Sequence, residues 1–212
     1  MTGTSGLLMR RGLSAPVRAA IFAALALCSF AQSSAERGGS PKEVVEMFLK
    51  ADANGERLTI EGQRRAATFF ARPSSVSRSQ TLTVGTCETP GQPVVTGNRA
   101  EVWTEGDLWG TIDPTARFSP SVPGPDGRSA GPIFLRCQFI LVFSDTYWEL
   151  APDGLSLKQT KGKAAWRIQS ADLGPYLSLA TAVRYLTGLR DKSGDTAIRK
   201  NAEKSLAELR GL

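Results

Sequence analysis

The chain predicts an α+β domain in which two N-terminal helices pack on a curved, mostly antiparallel sheet and further helices follow. Three observations carry that expectation. The longest apolar pattern, IFLRCQFILVFSDTYWE over residues 133–149, places Ile133, Leu135, Cys137, Phe139, Leu141 and Phe143 at every second position, the period of a strand with one buried face. Ahead of it, Val44, Val45, Phe48, Leu49 and Ala51 recur at helical spacing. Behind it, two more apolar stripes have the helical period, Tyr176, Leu179, Ala180, Val183 and Leu186, then Ile198, Ala202, Leu206 and Leu209. The even positions of the long strand begin mixed (Phe134, Arg136, Gln138) and turn apolar at Ile140 and Val142. That suits a central strand covered along one face and only partly on the other.

Taken in order, Ser40-Pro41-Lys42-Glu43 is a dense helix start, with Ser40 as cap, Pro41 in the first turn and Glu43 reaching back. Asn54-Gly55 ends that helix. Thr59 caps a second, with Ile60, Ala67 and Phe70 on its apolar side and Arg72-Pro73 as its stop. After a Ser-rich spacer (74–79) the period changes to that of strands. Gln80 to Cys87 reads as a first strand, Thr89 to Pro93 as a loop, and Gly97-Asn98 as a turn. Ala100 to Ile112 reads as one strand interrupted at Gly106-Asp107, or as two short ones. Residues 114–132, rich in Pro and Gly, show no periodicity; a loop of that length is expected to be a lid, a binding loop or a disordered insertion. Past the long strand, Pro152-Asp153-Gly154 and Lys161-Gly162-Lys163 read as turns, with a short strand at Leu155 and Leu157 between them, and Ala164 to Gln169 closes the sheet. The stripe from Tyr176 is expected to end at Gly188, and Asp195 to cap the last helix.

Residues 1–35 read as an export signal, with Arg10, Arg11 and Arg18 ahead of the apolar run Ala19 to Phe30 and small residues Ser33-Ser34-Ala35 at the expected cleavage point. Ala31 is a second possible site. The run is short for a membrane span. Leu25-Ala26-Leu27-Cys28 offers a rival, lipoprotein-type reading, against which stands the bulky Leu27 before the cysteine. The expected mature chain is therefore periplasmic or extracellular, with no transmembrane anchor. Losing three arginines and no acids takes the net charge from +6 to about +3, too diffuse for nucleic-acid binding. Residues 40–190 are expected to form one domain, with 191–212 as a C-terminal helix. Cys87 and Cys137 are the only cysteines after the leader. In an oxidising compartment they are expected to form a disulfide, the alternative being two buried free thiols. Simple alternation puts Cys87 on the face opposite Leu82 and Val84, and a bulge at Gly85 would bring it round.

The run Pro41 to Asp52, the turn Asn54-Gly55, the strand opening Gly97-Asn98-Arg99-Ala100-Glu101-Val102 and the late Trp166-Arg167-Ile168 together resemble the nuclear transport factor 2-like, or SnoaL-like, superfamily of cone-shaped α+β domains. The resemblance covers residues 40–187; the last helix and the 114–132 loop look like additions. It implies a sheet wrapped around a pocket. Superfamily members include isomerases, dehydratases, hydrolases and non-catalytic binding domains, so the fold alone names no function. In the steroid-isomerase members a tyrosine of the first helix takes part, and residues 41–53 contain none.

The chain has no histidine, which removes His-based triads and His-ligated zinc. No Walker A loop, GxGxxG or CxxC is present. No metal site and no cofactor is expected. One constellation remains. Continuing the odd register past Phe143 puts Asp145 and Tyr147 beside the apolar stripe, at a pocket wall where burial would raise the carboxyl pKa; the plainer reading has Asp145 solvated and Tyr147 covering the core edge. Trp103 and Trp109 are candidates to line a ligand pocket or a partner surface, although tryptophan serves more often as packing. The expected function is an exported, non-catalytic binding module that recognises a small apolar ligand or a partner protein, a second copy included, through its sheet or pocket. The alternative is a pocket enzyme of isomerase or hydrolase type with Asp145 as acid/base and Tyr147 as donor.

Overall fold

The computed structural model of the chain describes residues 39–72, 81–152, 156–172 and 174–212. The expected leader, the Ser-rich spacer and most of the Pro152-Asp153-Gly154 turn fall outside the described residues. Helix α1, Pro41–Ala53, begins with the expected capping box: the Ser40 hydroxyl accepts from the Glu43 N–H, and Glu43 accepts from the Ser40 N–H at 2.7 Å. A 3-10 turn, Glu56–Leu58, leads to α2, Ile60–Ala67, capped by Thr59 on the Gly62 N–H. This helix is shorter than expected, and Ile60 is exposed. Beyond it the chain straightens and lies along the sheet edge, where Phe69 and Ala71 exchange backbone hydrogen bonds with Ile168 at 2.7 and 2.9 Å. The Trp148 indole N–H donates to the Ala71 carbonyl and fixes that segment.

Among the described residues seven strands form one sheet: β1 Leu82–Gly85, β2 Val94–Thr96, β3 Arg99–Ile112, β4 Phe118–Pro120, β5 Ile133–Leu150, β6 Leu157–Ala171 and β7 Tyr176–Ser178. The order is β6-β5-β3-β1-β7, with β2 and β4 paired to β3. All pairs are antiparallel except β1 with β7, so the sheet is mixed. Register shifts at Val84/Gly85, Ile140/Leu141 and Ser144/Thr146 bend the strands and curl the sheet into a half-barrel.

Several expected breaks are absent. β3 runs unbroken through Gly106, because a Cβ there would lie 1.9 Å from the Thr86 carbonyl oxygen; the glycine admits the neighbouring chain rather than ending the strand. β6 likewise runs through Lys161-Gly162-Lys163, where the Tyr147 ring lies 2.9 Å from where a Gly162 Cβ would stand. The stripe from Tyr176 is not wholly helical. Tyr176–Ser178 is β7, Ser178 caps α3, Leu179–Lys192, and the helix passes Gly188 without a break. Helix α4, Thr196–Leu209, starts on the expected Asp195 cap.

Two cores result. In the first, Val44, Val45, Phe48 and Leu49 of α1 pack on Ala100 and Val102 of β3, Cys137, Phe139 and Leu141 of β5, and Ile168 of β6. Phe48 meets Phe70, Phe69 and Phe139 edge to face, with centroids 5.2, 6.0 and 6.1 Å apart. Burial of each such side chain stabilises the fold by about 1.5–3 kcal/mol. The odd apolar stripe of the long strand is therefore buried in its middle, while its first and last members, Ile133 and Phe143, are exposed, contrary to expectation. In the second core, Leu82, Val84, Ile112, Ala116, Phe118 and Leu177 pack beneath Ala182 and Leu186 of α3 and Ala202, Leu206 and Leu209 of α4.

The 114–132 loop is no bare insertion. Asp113 accepts from the N–H groups of Thr115 and Arg117 and from the Thr115 hydroxyl, which turns the chain into β4. The buried Ser205 hydroxyl then donates to the Ala116 carbonyl and accepts from the Phe118 N–H at 2.8 Å. The start of the loop and the last helix thus pack on each other.

The expected disulfide is not formed: Cys87 and Cys137 are free thiols. The bulge at Gly85 does bring Cys87 round to the first core. However, residues 86–88 run along one side of β3, bonded to Asp107 and Glu105, while Cys137 sits opposite Thr104 on the other side. Two strand spacings amount to about 9.5 Å, beyond the roughly 7 Å that a disulfide can bridge between Cα atoms.

Candidate functional site

Residues directly opposite one another in neighbouring antiparallel strands point to the same face. The β3–β5 register pairs Glu101 with Ile140, Trp103 with Gln138, Glu105 with Arg136 and Asp107 with Phe134. The partners of these strands in the first core lie on the opposite face, so this row is the sheet's outer face. It is organised around Trp103. The Arg136 guanidinium lies over the indole ring at 4.6 Å and is paired with Glu105 at 3.6 Å. Gln138 donates to Glu101 at 3.2 Å, and Arg99 holds the other Glu101 oxygen at 3.4 Å. Phe134 continues the row and is 66% exposed, and Trp103 is 36% exposed. An aromatic–arginine row held by its own hydrogen bonds has the composition of energetically dominant contacts between proteins. Alternation alone placed Arg136 and Gln138 on this side, but not Trp103 beside them, because register across strands is not written in one strand.

Trp109 does not join Trp103. It is the extra residue of the β3 bulge, since Val84 pairs with Gly110 and Gly85 with Leu108; it is half-buried and its carbonyl accepts from Ser121. Asp145 and Tyr147 also part company. The register shift between Ser144 and Thr146 makes Asp145 an unpaired residue, so the odd register does not continue through it. Its carboxylate, 47% exposed, pairs with Lys161 at 3.3 Å rather than lying at a pocket wall. The Tyr147 hydroxyl donates to Glu149 at 2.8 Å, and Arg167 lies over its ring at 4.9 Å.

A second constellation was not anticipated. Asp52 is buried at the end of α1, its carboxylate held by both arms of Arg57 and approached by the Tyr176 N–H at 3.4 Å. Arg57 in turn lies over the Phe48 ring at 5.0 Å. Burial pushes the Asp52 carboxyl above the usual carboxylate range, outweighing the Arg57 guanidinium that opposes it. The Tyr176 phenol is hydrogen-bonded to the backbone and thiol of Cys87. Burial pushes both groups up to about 12, reinforced at the thiol by Cys137 and Asp52 and at the phenol by Cys87. Phenol and thiol therefore stay neutral at physiological pH, able to donate hydrogen bonds but not to act as nucleophiles. A sequence signal for Asp52 did exist: it sits four residues after Phe48 and seven after Val45, a carboxylate on the apolar stripe of α1.

Among the described residues no group of three or more His, Cys, Asp and Glu side chains is placed to hold a metal ion, and no helix is long and apolar enough to cross a membrane. Comparison of the chain with family models, with curated proteins and with solved structures finds no match in any of the three.

Proposed function

We propose that the protein is an exported, non-catalytic binding module that docks a partner protein on the outer face of β3 and β5. The observation that carries this reading is the Trp103–Arg136–Glu105 arrangement beside the exposed Phe134. A tryptophan already held in place by a stacked arginine loses little side-chain freedom when a partner covers it. The space between α1 and the inner face is occupied by Phe48, Phe139, Leu141 and Ile168, each at most 1% exposed, which favours a surface over an internal ligand chamber. The exposed ion pair of Asp145 supports the same choice over acid–base chemistry at that residue. Export rests on the basic and apolar pattern of residues 10–30. Two helices ahead of a curled sheet support a likeness to nuclear transport factor 2-like domains, with the C-terminal helix pair as an addition.

The test is site-specific photo-crosslinking in the native compartment, on the exported chain whose mass starts near Glu36. A photoreactive residue replacing Phe134 should give a discrete protein adduct, lost on Trp103→Glu and retained in Asp145→Asn. The same residue at Lys158 should give none. No adduct at 134, or one indifferent to Trp103→Glu, overturns the reading.

A further inference from the structure

An open cleft of about 240 Å³ lies between the second half of α1 and the segment that follows β1. Leu49, Ala53, Pro90 and the Tyr176–Cys87 pair give it an apolar floor, and Glu46, Lys50 and Glu88 bring charge to its rim. Those rim charges differ in their commitments. Glu46 is paired with Lys42 at 3.9 Å along the helix. The Lys50 ammonium and the Glu88 carboxylate, by contrast, line the same cleft, are both exposed, and form no ion pair or side-chain hydrogen bond with any described residue. Opposite charges on the walls of one small cleft that do not reach each other leave room for a molecule carrying both.

We propose that this cleft is a binding site for a small zwitterion with one apolar ring, of the aromatic α-amino-acid class. The ligand carboxylate meets Lys50, its ammonium meets Glu88, and its ring lies on Leu49, Ala53 and Pro90. The size fits, because a cavity of about 150 Å³ already takes a single benzene ring, and the excess leaves room for the charged end. The floor suits the ring as well: a phenol and a thiol that remain neutral add no competing charge. The site draws on the inner side of α1 and not on Trp103 or Phe134, so it stands or falls apart from the outer-face reading.

L-phenylalanine is the probe, followed by two-dimensional NMR of the full mature chain. Millimolar probe should shift the methyl signals of Leu49 and Ala53 and leave those of Leu206 in place. Lys50→Gln and Glu88→Gln alter exposed side chains, and each should weaken binding up to about fivefold, the range of an exposed ion pair. N-acetyl-L-phenylalanine, which lacks the ammonium, should bind weakly to the unaltered chain and be indifferent to Glu88→Gln while still responding to Lys50→Gln. Absence of methyl shifts at Leu49 and Ala53, or equal binding of the probe to all three chains, overturns the proposal.

Discussion

The core beneath α1 rests on long strands that each show one apolar face, whereas the core beneath α3 and α4 is assembled from pieces three or four residues long. In the first, β3, β5 and β6 have 14, 18 and 15 residues. In the second, β1, β4 and β7 have 4, 3 and 3, and the chain between β3 and β4 turns on Asp113. The polar groups differ too. The first core buries an ion pair, Asp52 with Arg57, and the second a neutral hydroxyl, Ser205, that satisfies two backbone groups of a loop. Length supplies one core and tertiary hydrogen bonds supply the other, which makes them vulnerable to different substitutions.

The largest expected effect probes whether the two cores melt together. Phe139→Ala should cost about 3–5 kcal/mol and Leu206→Ala about 2–5 kcal/mol. Because Ala100, Val102 and Ile112 of a single strand serve both cores, each variant should lower amide protection in both, as followed by hydrogen exchange. Leu206→Ala that deprotects α3, α4 and β4 while leaving β5 untouched would separate the cores into independent units.

Asp52→Asn comes next. Asn stands in for the protonated acid, the form that burial favours in the folded chain despite Arg57, so at neutral pH the variant should be no less stable than the unaltered chain. The pH dependence has a definite sign. The Asp52 carboxyl is raised in the folded chain by burial, so the folded state holds its proton more tightly than the unfolded state does. The unaltered chain should therefore gain stability relative to Asp52→Asn as pH falls toward about 4, and lose that gain as pH rises through the folded pKa. Asp113 has the opposite sign. Slight burial works against it, but the N–H of Arg117 and the hydroxyl and N–H of Thr115 hold its carboxyl below the usual range, so its contribution is present above about pH 4 and disappears in stronger acid. Urea midpoints between pH 7 and pH 3 for the two Asp→Asn variants read both slopes; parallel slopes would sink the assignment.

Ser205→Ala has the most local expected effect. It strands the buried Phe118 N–H, at an expected cost of about 1–2 kcal/mol, and should loosen residues 113–120 first. Protection of the Phe118 amide is the measurement. If that amide exchanges no faster in the variant, the hydroxyl is not what holds the loop.

The same contrast explains what could be read from the chain before folding. The capping box of α1, the stripe Cys137, Phe139 and Leu141, and the Asp195 cap are local patterns, and each appears where its pattern places it. Of the second core only the helical stripes with Leu186, Ala202, Leu206 and Leu209 are legible, because Ala116, Phe118 and Leu177 lie in segments too short to show a period. Gly106 and Gly162 read as breaks because the reason for each is another segment, the Thr86 carbonyl and the Tyr147 ring. At the outer face, the pairing of Trp103 with Arg136 depends on the β3–β5 register, and the separation of Asp145 from Tyr147 depends on a bulge; neither leaves a mark in composition or spacing.

Among the described residues the sheet terminates on one side at β6, and only part of that strand's outer side is covered, where Phe69 and Ala71 pair with Ile168. Ahead of Ala165 the same strand carries Lys158, Lys161 and Lys163, all exposed. An open edge is a template on which another chain's backbone can add, and closely spaced ammonium groups are a recognised obstacle to that growth, since stacking two such edges brings like charges together. The lysines of Lys161-Gly162-Lys163 thus put like charges along that edge, a pattern that opposes edge-to-edge pairing.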